Sequence, residues 1–202
     1  VVLRNPSFEA SGVVAYPGYI APQPIDGWTA TGDCGVNRSG EGPFTDNGLA
    51  ADQRGVLFVQ HLNAVSQELT GLEPGAVYQL SFAYNARSCC DGAQPHVSVT
   101  VGGSSVAEID VPAVGNAPFA TTNVFFTATS SNVLLAFAQT AGGDATLLLD
   151  DVHVAFFRSP EVRLSISYDP EFGVIRLAWP ATAVGYRVEI AADLNEGFFD
   201  SG

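Results

Sequence analysis

Lysine is absent from this 202-residue chain, and so is methionine. All eight cationic side chains are Arg, against 21 Asp and Glu, which leaves a formal charge of −13 at pH 7. So acidic a surface repels phosphate backbones and anionic headgroups, which argues against nucleic acid and acidic membranes as partners. The same surface suits divalent cations and solubility in salt. No apolar run approaches the about 20 residues that a membrane helix needs, so no membrane insertion is expected. A chain that starts at Val1 and holds no Met is expected to be a secreted or cell-surface protein whose signal peptide has been removed.

Charged residues make up only 14% of the chain and hydrophobic residues 47%, the balance of a chain that folds. Gly (21) and Pro (12) are plentiful, which favours short strands joined by turns. Period-two patterns dominate. "VYQLSFAYNA" (77–86) places Tyr78, Leu80, Phe82 and Tyr84 on one face, and "HVSVTV" (96–101) sends Val97, Val99 and Val101 one way. "NVFFTAT" (123–129), "NVLLAFAQT" (132–140) and "ATLLLDDVHVAFF" (145–157) are apolar on both faces, as central strands of a two-sheet sandwich are. "TGLEPGAVY" (70–78) reads as a Pro-Gly turn and "VGGSS" (101–105) as a hairpin loop. No stretch sustains a 3.6-residue period. The reading is an all-β jelly-roll sandwich over 1–158.

"RSPEV" (158–162) reads as a linker, so residues 159–202 form a separate short β segment. Its strand candidates are "VRLSISY" (162–168), "GVIRLAWP" (173–180) and "GYRVEIAADL" (185–194). With Trp179 and Tyr186 they resemble the opening half of a fibronectin-type sandwich. A half sandwich leaves an apolar face and sheet edges uncovered.

Three cysteines do not make a zinc site, because Cys89 and Cys90 are adjacent and His61, His96 and His153 lie on separate segments. No base neighbours them, as a catalytic thiol would need. A staple remains: Cys34, in the loop "TGDCGVN", bridged to Cys89 or Cys90. A strained Cys89–Cys90 ring and three reduced thiols are the alternatives. A bridge from Cys34 would close a loop of about 55 residues and contribute on the order of 4 kcal/mol.

Four segments in order, "NPSFEA" (5–10), "PIDGWT" (24–29), "VSQELTGLEPGAVYQLSFAYNA" (65–86) and "LLLDDVHV" (147–154), resemble the calcium-binding jelly-roll carbohydrate-binding modules of secreted bacterial proteins. The resemblance implies a structural Ca²⁺ where the chain ends meet. The positions matching its ligands are Glu9, in the Phe8-Glu9 pair, and Asp150, with Asp151 beside it. The loop before "GVLFVQ" offers a third oxygen through Asp46, Asn47 or Asp52, and Asp52 is the choice.

The resemblance also implies sugar binding, by aromatic faces on pyranose C–H faces with amides and Arg around them. The candidates are Tyr16, Tyr19, Phe44, Tyr84 and Arg87, with Trp28 and Gln60 in support; Trp28 and Tyr84 stand at positions that also suit the core. Glu68, Glu73, Asp91, Glu108 and Asp110 form no recognisable acid-base pair, and neither a nucleophile elbow nor a phosphate loop is present, so no enzyme is expected. The leading expectation is a non-catalytic glycan-binding module with a polysaccharide or cell-surface glycan as partner. The alternative is a subunit of an extracellular fibre or surface layer that pairs with copies of itself through strand edges.

Overall fold

The alternating stretches fold as strands, because period two matches the pleat and sends one set of side chains to each face. The structure, a computed structural model, describes residues 1–11, 24–40, 48–87, 93–115, 117–158 and 165–178, and the backbone of 189–190 and 199–200. The chain divides into two compact units, Val1–Ser159 and Pro160–Gly202.

The first unit runs through β1 (Thr29–Ala30), β2 (Cys34–Arg38), β3 (Gly55–Gln60), β4 (Ala64–Thr70) and β5 (Val77–Ala86). It continues with β6 (His96–Val101), β7 (Ser104–Asp110), β8 (Ala120–Thr127), β9 (Asn132–Gln139) and β10 (Thr146–Arg158). Two antiparallel five-stranded sheets result, ordered β1-β4-β9-β6-β7 and β2-β3-β10-β5-β8. The all-β jelly-roll sandwich read from the sequence is the fold.

Between the sheets, Val65, Leu69, Val97, Val99, Leu135 and Phe137 of the first meet Val36, Leu57, Leu80, Phe82, Leu147 and Leu149 of the second. Phe82 and Phe137 stand edge to face across the gap, ring centroids 5.0 Å apart. Trp28 closes one end between Phe8 (5.6 Å) and Phe137 (6.1 Å). The N-terminal strand end joins the first sheet, Val2 donating its amide to Thr70 O at 2.8 Å.

The second sheet is also apolar on part of its outer face. Val56, Phe58, Ala83 and Leu148 are buried there beneath Phe119, with Ala50 and Val114 against them. This explains why the start of β10 reads as apolar on both faces. The cover is a roof of two segments that bond to each other: Leu49 N donates to Ala117 O (2.9 Å) and Phe119 N to Leu49 O (3.0 Å). Asn85, fully buried, pins the roof by accepting the Val114 amide at 3.0 Å.

The roof covers only half of the sheet, because β10 changes partner along its length. Leu147–Leu149 pair with β3 on one side and β5 on the other. The ladder to β5 slips between Asp150 and His153, a β-bulge, and beyond it β10 pairs with β5 alone.

The structure departs from the sequence reading at several places. "NVFFTAT" reads as a central strand, but β8 stands at the edge of its sheet, paired with β5 alone and exposed on its outer face. "CGVN" is strand β2, not loop, since Cys34 and Val36 point into the core while Gly35 and Asn37 face out. In the second unit, β11 (Ser165–Asp169) pairs with β12 (Val174–Ala178), and β13 (Glu189–Ile190) with β14 (Phe199–Asp200). Two separate two-stranded ladders thus stand where three strands were expected, and Trp179 and Tyr186 lie outside the described residues.

The roof depends on Gly48, which holds φ +83° directly over Asn85. A Cβ there would lie 2.7 Å from Asn85 Nδ2 and 2.9 Å from Val114 Cγ2. Gly48→Ala is expected to destabilise the sandwich by about 1–3 kcal/mol through the left-handed backbone and the clash together. Chemical denaturation of the variant beside the parent protein measures this.

Candidate functional site

The sequence "NPSFEA" folds into a tight, side-chain-locked segment rather than a strand. Asn5 sits at φ +47°, its Nδ2 donating to Ser11 Oγ (2.9 Å) and Asp26 O (3.0 Å), its Oδ1 accepting the Ala10 amide (3.0 Å). Its own carbonyl accepts Trp28 Nε1–H at 3.2 Å, tying "NPSFEA" to "IDGWT". Phe8 is held at φ +60°, a conformation that costs a bulky residue on the order of 1–3 kcal/mol. Complete burial of its ring against Trp28 offsets that cost. The turn sends Phe8 inward and leaves Glu9 facing the loop before β3.

Glu9 Oε1 accepts the amides of Arg54, at 2.7 Å, and Gly55. A Cβ at Gly55 would come within 3.1 Å of both Glu9 Oε1 and the Phe8 carbonyl carbon, so the glycine leaves room for this close approach. The same loop reaches the β10 bulge. Asp52 N donates to Asp150 Oδ2 at 2.9 Å and Asp151 N to Asp150 Oδ1 at 2.8 Å. Pro6 O accepts the Val152 amide at 3.0 Å, so the N-terminal segment and the last strand of the sandwich meet here.

Asp150 is fully buried, and among the described residues neither it nor Glu9 has an ion-pair partner. Burial pushes the Asp150 carboxyl up to about 7, against the opposing pull of the Asp52, Asp151 and Ala51 amides. The third acid expected, Asp52, brings its backbone amide rather than its carboxylate, which meets Gln53 Nε2 at 3.4 Å. Among the described residues no three acidic, His or Cys side chains converge as a metal cluster.

A second polar group forms at the other end of the roofed face. Arg87 Nη2 lies 2.5 Å from Asp144 Oδ2, and Gln60 Nε2 donates to Asp144 Oδ1 at 2.8 Å. Arg87 and Gln60 hold the Asp144 carboxyl below the usual carboxylate range. Sequence reasoning selected Gln60 and Arg87 but missed Asp144, which sits in a turn, "GGDA", with no pattern of its own.

With the geometry in place, comparison with known proteins is informative at the level of fold. No family model matches the sequence, and no curated protein matches it. Among solved structures it is similar to the N-terminal CBM22-1–CBM22-2 tandem domain of Xyn10C from Paenibacillus barcinonensis, with 18% identity and a TM-score of 0.52. That match covers 82% of this chain and 49% of the tandem, so the chain spans about half its length. The K2 cleaved adhesin domain of Lys-gingipain matches at 16% identity and TM-score 0.50, over 75% of this chain and 96% of that one. The CBM22-1 xylan-binding domain of the same Xyn10C is 20% identical at TM-score 0.49, over 66% and 87%. The fold is a carbohydrate-binding-module-like β-sandwich.

Within this sandwich the remaining sequence candidates fall into two groups. Tyr16, Tyr19 and Phe44 lie outside the described residues, as do Asp46 and Asn47. Tyr84 is half-buried on the core side, its ring 5.9 Å from Phe82, and the Arg87 side chain is 7% exposed. Trp28 is a core residue. The side chains of Tyr84, Arg87 and Trp28 are therefore turned to internal partners.

The cysteine staple needs correction. Cys34 is a free thiol, fully buried on the inner face of β2, with Ala64 O at 3.8 Å as its hydrogen-bond acceptor. The expected bridge from Cys34 assumed a loop position; an inward strand position hands the sulfur to the core instead. Cys89 and Cys90 lie outside the described residues. Burial raises the Cys34 thiol to about 12, so the thiolate that alkylating reagents attack is suppressed. In the native protein at pH 8, Cys34 is expected to resist iodoacetamide and to react only in denaturant, as read by mass mapping of its peptide.

Proposed function

We propose that this chain is a non-catalytic glycan-binding module of an exported protein, its N-terminal segment and last sandwich strand clamped by calcium. The observation that carries the reading is the two-sheet fold, shared at TM-scores of 0.52 and 0.50 with a tandem of carbohydrate-binding modules and an adhesin domain. The partner it supports is a polysaccharide or cell-surface glycan. Retention of the intact chain on a panel of insoluble polysaccharides tests it directly; failure to be retained on any of them overturns it.

The donor chemistry around Asp150 supports the calcium. A fully buried carboxylate without a cationic partner is costly, and a hard divalent cation supplies the missing charge. Glu9 Oε2 and the unused lone pairs of Asp150 would face it. Backbone carbonyls of the 50–55 loop would supply the rest of the about six to eight oxygens that calcium takes. Bound there, the ion would neutralise Asp150 and tie Glu9 to β10.

The sign of the pH dependence follows from Asp150. Its folded value of about 7 lies above that of an unfolded aspartate, so in metal-free protein its protonation favours the fold. That contribution is complete below the unfolded value and is lost as pH rises through about 7. In excess chelator, Tm is therefore expected to fall between pH 5 and pH 8. Added calcium should restore several degrees at pH 8 and little at pH 5, read by differential scanning calorimetry. Identical melting curves with calcium and with chelator at pH 8 would remove the ion from the reading.

A second reading, assembly with copies of itself, is favoured by one observation in the second unit. In the β11–β12 hairpin Ile166 lies opposite Leu177 and Tyr168 opposite Ile175, and all four are exposed, Ile175 at 69%. If this face drives assembly, the full chain sediments as an oligomer and Ile175→Glu shifts it to monomer; a monomeric parent ends this reading.

A further inference from the structure

The open half-face below the β10 bulge carries surface chemistry that nothing in the clamp or the roof uses. Along β8 the exposed residues alternate as Thr121, Asn123, Phe125 and Thr127. Register places Asn123 beside Ser81 and Phe125 beside Gln79 on β5, the positions opposite in phase to the buried Leu80 and Phe82. On β10, His153 and Ala155 continue these two rows. Phe157 follows on the same face, just before a second register slip between Phe156 and Arg158, and its ring lies 4.7 Å from that of Phe125, tilted by 56°.

Two features distinguish this patch from ordinary sheet surface. Phe125 and Phe157 are 51% and 56% exposed, so the pair forms an aromatic platform in water with no apolar cover. Among the described residues, Gln79, Ser81 and Asn123 beside it make no side-chain hydrogen bond and stay open to solvent, whereas Gln60 and Asn85 on the same sheet are bonded to Asp144 and to the Val114 amide. Charge is confined to its borders: Arg158 beyond the second slip, and the His153–Asp151 pair (2.6 Å) on the bulge side.

Resting on the glycan-binding reading, we propose that an uncharged polysaccharide docks on this half-face. The C–H faces of its pyranose rings stack on Phe125 and Phe157, and its hydroxyls bond Gln79, Ser81 and Asn123. The chemistry is selective by elimination of rivals. An aromatic pair with unbonded amides suits a ligand that is apolar on its faces and polar at its rim, as a pyranose is. A protein partner would want a more extensive apolar core, and an anionic glycan would want cations that this face and a chain of net charge −13 do not offer.

The test is affinity electrophoresis and pull-down of the full chain on neutral polysaccharides (cellulose, xylan, galactan, mannan) and anionic ones (alginate, polygalacturonate). Expected is retention on at least one neutral polysaccharide, weakened roughly tenfold by Phe125→Ala or Phe157→Ala and kept by Phe125→Tyr, with Tm of all variants within a few degrees of the parent. Retention of the parent with both alanine variants bound equally overturns the site and leaves the glycan reading standing. Retention on anionic polysaccharides alone overturns the ligand class. A parent retained on nothing overturns both. Alanine variants that change sedimentation but not retention also overturn the proposal, assigning the face to a second copy of the chain.

Discussion

The bulge at Asp150 is the constraint on which the rest of the sandwich is arranged. Before it, β10 is a central strand with β3 and β5 on either side; after it, β10 has β5 alone. That loss of a partner turns one sheet face into two surfaces, a roofed apolar half and an open half. The bulge also holds Asp151 at φ +52°, which re-aims the chain so that Asp150 is buried and Val152 returns to the core. The amide of Val152 is thereby presented to Pro6, and the N-terminal segment docks. Clamp, roof limit and open face share one cause.

Such an arrangement concentrates costs that the core must offset. Left-handed Asn5, Phe8 and Asp151 and the buried carboxylate of Asp150 all lie within one corner. Each of the first three costs on the order of 1 kcal/mol or more, and an unpaired buried carboxylate costs several. They persist because their surroundings leave no alternative: the Phe8 ring fills the end of the core beside Trp28, Asn5 makes local bonds on both sides, and Asp150 takes two amides. The corner where the N-terminal segment meets the last strand of the sandwich is thereby held in one conformation.

How legible this was in the sequence depends on whether a residue obeys a period. Tyr78, Leu80 and Phe82 announced β5 by alternation, and the double-sided apolarity of "ATLLLDDVHV" announced a strand covered on both faces. Cys34 was hidden because Asp33 and Gly35 flank it with turn-like residues, although its strand is buried along four of five positions. That the segments of Glu9 and Asp150 approach the same loop was read from matched segments, but that Asp52 would offer its amide follows from loop conformation, which no pattern encodes. Phe157 was the least visible. It continues the outward row of His153 and Ala155, but in a stretch that is apolar on both faces alternation does not single it out, and its place beside Phe125 depends on which strand lies next to β5.

The two halves of the outer face show how one sheet serves two purposes. Where β3, β10 and β5 lie side by side, Val56, Phe58 and Leu148 give a surface too apolar to leave wet, and the roof at Gly48–Ala50 and Val114–Phe119 covers it. Where β3 ends, the same strands carry Ser, Gln, Asn and His outward, with Ala155 and Val77 among them, and Phe125 and Phe157 are the large apolar side chains exposed there. If those two rings were merely unburied core, the neighbouring positions would be apolar as well, as they are beneath the roof. They are instead bordered by the neutral polar side chains of Gln79, Asn123 and Thr127, with the small Ala155 between, in a protein otherwise rich in carboxylates. An isolated aromatic pair inside a neutral polar ring is therefore better explained by an external ligand with apolar faces and a hydroxylated rim than by packing.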